Sequence, residues 1–142
     1  MRIDRLHRLS NYLAALSDEQ FTTSVWVHTP SPVSAKRIHK LPVGTACCPV
    51  GWLPAVEPAD WCWTVVPDVL HGGALEVYPL CKASSVWSGA GQLPRRDEDA
   101  LIVMSVWRQC QEWFEMDHAA CDALLYRGSR SEVVAGLNAL AQ

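Results

Sequence analysis

The residues best equipped for chemistry are concentrated in one segment. Val43–Trp63, VGTACCPVGWLPAVEPADWCW, holds three of the chain's six cysteines and three of its seven tryptophans. Thiolates bind soft metals, attack electrophiles and exchange disulfides, so each of those chemistries is a candidate. Structural zinc asks for four ligands, usually supplied by paired Cys-x-x-Cys or His knuckles. Cys47 and Cys48 are adjacent instead, and adjacent side chains diverge in either a helix or a strand. His118 and Cys121 stand three apart and would share a helix face, with Cys110 upstream. Cys62, His71 or Cys81 could complete such a set only through the fold. The spacing favours buried thiols acting as small apolar groups over a metal site. No metal or cofactor is expected.

Catalysis by a thiol needs a histidine beside the cysteine and a third group to orient it. Cys48 lies in a small-residue turn, and a helix starting there with Thr45 as its cap would lower the thiol pKa. No histidine can be paired with it from the sequence. The competing reading gives Gly44 and Gly51 the task of close backbone packing and Trp52 that of filling the core. On that reading Cys48→Ala costs stability, about 1 kcal/mol or more, before it costs any activity. SGAGQLP has no following helix with Lys-Ser/Thr, and HGGALEV leads into a strand-like run, so neither is a phosphate loop. RRDED reads as a solvated helix start. The tryptophans could stack bases or sugars, but no basic groove accompanies them, so they read as core and interface residues.

The elements that must position these residues follow from periodicity. Ile3, Leu6, Leu9, Leu13 and Leu16 recur at helical spacing, with Arg5, Arg8 and Asn11 on the side expected to be wet. Ser17 with Gln20 is a capping box. TTSVWV, residues 22–27, is β-prone, and the proline-containing run from His28 to Gly44 reads as a loop with Lys36, Arg37, His39 and Lys40 in solvent. DWCWTVVP alternates like a strand that ends at Pro67, and Gly72-Gly73 reads as a turn between two short strands. Residues 83–97 form a Gly/Ser/Pro-containing loop carrying Trp87. The C-terminal third then predicts three helices: one with acidic residues in its first turn and a stripe through Leu101, Met104, Trp107 and Cys110, or through Val103, Trp107, Cys110 and Phe114, a second capped by Asp117 and ending near Gly128, and a third opened by a Ser129/Glu132 capping box. The fold class expected is α+β in one domain spanning 1–142: an N-terminal helix, a small antiparallel sheet of short strands and about three C-terminal helices.

The 142 residues suffice for a continuous core, and 49% hydrophobic with 19% charged residues is a globular balance. A net charge of −3 and a pI near 5.9 argue against general nucleic-acid binding. The first forty residues nevertheless carry six Lys/Arg against three Asp/Glu, while the remainder is acidic. Neither a signal peptide nor a membrane span is expected, which places the chain in the cytoplasm with reduced thiols.

In order along the chain, RIDRLHRLSNYLAAL, GTACCPVGWLP, EWFEMDHAACDALLY and SEVVAGLNALA resemble a family of small uncharacterised proteins of phages, prophages and some bacteria. The pattern is a helix, then (C)GTxxCxxGW, then two helices. Gly44, Thr45, Cys48, Gly51 and Trp52 match; Val43 stands at the first cysteine of the pattern, and Glu115 at a glycine of its later motif. The resemblance implies a shared fold and a phage-type setting, without a reaction. It suggests a non-enzymatic accessory protein that binds a host protein, such as part of a defence complex, with Lys36, Arg37, Lys40 and Trp87 as candidate contacts. A cysteine- or zinc-dependent enzyme and a minor virion component are the alternatives.

Overall fold

A computed structural model of the chain describes residues 1–33, 37–38, 40–67, 72–84 and 99–140. Helix α1, Ile3–Ala14, buries Leu6, Leu9 and Leu13 completely, as the sequence spacing requires. Arg5 departs from the expected wet face. Its guanidinium lies 3.5 Å from the centre of the Trp113 ring and donates to the Trp113 carbonyl at 2.7 Å, because a planar cation is weakly hydrated and stacks well on indole. Beyond α1, the Ser17/Gln20 capping box encloses a single 3-10 turn, Asp18–Gln20.

Two small antiparallel sheets follow. Strand β1, Val27–His28, pairs with β3, Ala46–Cys47. Strand β2, Arg37–Ile38, pairs with β4, Trp61–Pro67, which pairs along its whole length with β5, Leu75–Cys81. Residues Trp61–Val66 are buried one after another, so β4 is covered on both faces and carries an unbroken apolar run. Pro67 closes it, as expected, and Gly72 and Gly73 both take positive φ ahead of β5. Two expectations shift. In TTSVWV only Val27 is in a strand, the residues before it being bent, and β2 arises inside the segment read as loop. Both depend on partners distant in sequence, Cys47 and Thr64 respectively, which outweigh local propensity.

The three C-terminal helices are α3, Asp99–Phe114, α4, His118–Leu125, and α5, Arg130–Ala139. Asp117 caps α4 by accepting from the Ala120 N–H at 2.8 Å, and the Ser129/Glu132 capping box opens α5. Helix α5 packs on α1, with Val133 and Leu137 buried and Ser10 Oγ donating to Asn138 Oδ1 at 2.7 Å. Arg130 donates to the Leu13 and Ala14 carbonyls, the open end of α1, where a cation offsets the helix dipole. The fully buried Gln109 of α3 accepts from the Cys81 N–H at 2.7 Å, which fixes α3 against β5. A short α2, Leu53–Val56, completes the set. The fold is α+β, and among the described residues no helix is long and apolar enough to cross a membrane.

The α3–α4 junction explains one oddity of the sequence. Glu115 has φ of 53°, in the left-handed region that side chains enter at a cost. It is exposed, so nothing but backbone conformation selects against it. Glu115→Gly is expected to leave the fold intact and raise stability by up to about 1 kcal/mol, measured as a higher urea midpoint at unchanged slope.

Candidate functional site

The site is built outward from the cysteine-rich segment. Thr45 Oγ1 donates to the Pro42 carbonyl at 2.7 Å and its N–H points to the same oxygen, so Thr45 closes a turn. It does not cap a helix. The first helical turn after it is a 3-10 turn, Val50–Trp52, with Pro49 at its N-cap. Cys48 is buried, and its main-chain N–H donates to the Trp26 carbonyl at 3.2 Å. Its Sγ accepts from the Gly51 N–H, yet burial pushes the thiol up to about 12. At neutral pH it is a thiol and a poor nucleophile.

Gly51 is the tightest point. A Cβ built there would lie 1.9 Å from the Trp26 carbonyl oxygen and 2.9 Å from the Cys47 Cβ. Trp63 Nε1 donates to the Gly51 carbonyl at 2.8 Å, and Trp52 Nε1 donates to the Gln20 carbonyl at 2.9 Å. Trp52 and Trp63 meet edge to face. The segment therefore clamps the main chain of Trp26 from two sides: one N–H bonded to its carbonyl, and one glycine that lets that carbonyl approach.

Trp26 is the first wall of a cleft of about 540 Å³. The exposed stretch Thr23–Val25 forms its rim, Glu76–Tyr78 of β5 a second wall, and Trp107 of α3 with Asp122 and Tyr126 the third; Cys48 reaches its floor. The rings contact one another. Trp26 stands edge-on to Trp107 at 5.4 Å and to Tyr126 at 5.3 Å, while Trp107 and Tyr126 lie 3.8 Å apart. All three are half-buried. The Tyr126 hydroxyl is buried, and that burial, beside the Cys110, Cys48 and Cys121 sulfurs, raises its pKa. Of the charged groups lining the cleft both are carboxylates. Glu76 is exposed; Asp122 holds Arg127 at 2.6 Å, with both contacts on Oδ2.

Comparison with protein-family models, with curated proteins and with solved structures finds no match. Function has to be read from the chemistry of the cleft itself.

The residues singled out by sequence are distributed differently. Lys40 is exposed, Arg37 contributes its backbone to β2, and Lys36 and Trp87 lie outside the described residues, as does His71. His118 and Cys121 do not converge. His118 is exposed with its ring against Trp107 at 4.8 Å and its Nδ1 3.4 Å from Gln111, whereas Cys121 points inward to Cys110, sulfur to sulfur 4.0 Å. Among the described residues no three His, Cys, Asp or Glu side chains are grouped to hold a metal ion. All six cysteines are buried, and none is in a disulfide. The sequence reads Trp26 as part of a strand or a packed extended segment and Trp107 as part of a core stripe, and it does not single out Glu76, Asp122 or Tyr126. Their one collective signal, aromatic and acidic residues on separate elements, becomes visible only when β1, β5, α3 and α4 are brought together.

The buried thiols make a pH prediction. Burial raises Cys48 to about 12 and Cys81 to about 11, and it raises Cys47 and Cys110 too; Cys121 moves down because the Cys110 thiol donates to it. A thiol whose pKa is higher folded than unfolded keeps its proton longer in the folded state. Its contribution is whole below the ordinary value of 9.0 and is lost as pH rises toward the folded value. The urea midpoint should therefore fall between about pH 9 and 11, by at most about 1.4 kcal/mol per pH unit for each such thiol. The slope should be shallower in Cys48→Ala.

Proposed function

We propose that this chain acts by binding another protein through the Trp26–Trp107–Tyr126 cleft, without catalysing a reaction. The observation that carries the reading is the cleft itself: three half-buried aromatic rings in mutual contact, open to solvent and edged by Thr23–Val25. Half-exposed Trp and Tyr in a concave site are the side chains that dominate binding energy at protein interfaces, since they offer large apolar area with few torsions to freeze. Val25, 47% exposed, extends the apolar rim. The buried, protonated Cys48 supports the non-catalytic side of the reading, and so does the outward turn of His118 from Cys121. On the resemblance, the setting is phage-type, the target a host protein such as a subunit of a defence complex, and the compartment the host cytoplasm.

Affinity capture from host lysate, run side by side with wild type, Trp107→Ala and Val25→Lys, tests this. Wild type should retain a discrete partner at near-equal stoichiometry, and both variants should lose it by about thirtyfold in affinity while keeping a cooperative thermal melt. Val25→Lys touches only the exposed rim, so its loss of binding is not a loss of core. Recovery of the same proteins by all three would overturn the proposal.

A further inference from the structure

The charge of the cleft narrows what it takes. We infer that the group it receives is an arginine side chain displayed by the partner polypeptide, an assignment that rests on the protein-binding reading above. Trp26, Trp107 and Tyr126 present indole and phenol surfaces, whose faces are electron-rich and attract cations. Glu76 is exposed, Asp122 lines the cleft with its counter-ion Arg127 beside it, and the described lining contains no lysine, arginine or histidine of its own. Asp122 has its counter-ion in Arg127, so the carboxylate left to a guest is Glu76, which an anionic or purely apolar guest would not engage. A cation meets both Glu76 and the rings.

Guanidinium fits better than ammonium. It is planar, so it can lie along an indole face while its N–H groups reach sideways to a carboxylate, and it sheds water at lower cost than a compact ammonium. The molecule already makes this contact once, where the Arg5 guanidinium lies 3.5 Å from the Trp113 ring centre and donates to that residue's carbonyl. Asp122 already accepts a guanidinium, that of Arg127, on Oδ2. Glu76 is the carboxylate that meets the incoming group, and Trp26 is the surface it stacks on, since the Trp107 ring is already in contact with Tyr126 and His118. The cleft, about 540 Å³, is ample for one arginine side chain with adjoining backbone at the Thr23–Val25 rim.

The test is titration of the full chain with a blocked Gly-Arg-Gly peptide, followed through the indole N–H resonances. Parallel titrations use the citrulline peptide, its uncharged isostere, and choline. Saturable shifts should appear at Trp26 and Trp107 and not at the buried Trp63. Citrulline should bind about tenfold more weakly, Glu76→Gln should weaken the arginine peptide by a similar factor, and added salt should weaken it further. Equal affinity for citrulline, or choline binding as well as the arginine peptide, would overturn the guanidinium assignment. So would a silent titration. If the titration is silent while Trp107→Ala still loses a captured partner, the arginine assignment falls and the cleft reading stands; if the partner is indifferent to Trp107 as well, both fall.

Discussion

Gly51→Ala is expected to cost about 3 kcal/mol or more of folding stability, the largest effect of a methyl added at any described glycine. The reason is local and geometric. The added carbon would sit 1.9 Å from the Trp26 carbonyl oxygen and 2.9 Å from the Cys47 Cβ, and the first of these is backbone that no rotamer change can move aside. Relief would require the Trp26 main chain to retreat, breaking the Cys48 N–H to Trp26 carbonyl bond and disturbing the adjoining β1–β3 pairing at Val27 and Cys47. Urea unfolding monitored by tryptophan fluorescence reads the change. A midpoint within a few tenths of a kcal/mol of wild type would show that the contact is not a constraint.

Trp63→Ala should be comparably severe, about 3–5 kcal/mol, because it empties a large buried volume that its neighbours cannot refill. Trp63 is 3% exposed, meets Trp52 edge to face, and donates its indole N–H to the Gly51 carbonyl. Removal also leaves that carbonyl without its donor. Trp63→Phe separates the contributions: it keeps most of the apolar contact and loses the hydrogen bond, so it should cost about 1–3 kcal/mol. If Trp63→Phe proves as damaging as Trp63→Ala, ring volume is the lesser part and the hydrogen bond to Gly51 dominates. Both measurements are denaturant midpoints on the purified variants.

These two residues show what the sequence made legible. Gly51 and Trp52 stood out as packing residues, and the helix caps at Ser17, Asp117 and Ser129 fall where local chemistry put them, since a cap involves residues only three apart. The long strand β4 was legible for a similar reason: its seven residues carry their own propensity. Strands β1 and β2, two residues each, were not, because their partners decide them. The cleft was the least legible feature. Trp26, Glu76, Trp107, Asp122 and Tyr126 come from β5, α3, α4 and the residues flanking β1 and α4, and no short-range pattern links them. Val43 is 96% exposed, so no buried contact of the segment depends on its side chain.

The cysteine-rich segment, in this account, is a clamp that seats the Trp26 wall of a binding cleft rather than a reactive centre. Native-state alkylation of Cys48 tests that claim most directly. The folded protein is treated with iodoacetamide at neutral pH and modification is located by mass spectrometry across a urea series. Cys48 should stay unmodified in the folded protein and become labelled only in step with global unfolding, as a buried thiol held near 12 requires. Rapid modification of Cys48 in the absence of urea, at the rate of an unfolded control peptide, would contradict the account.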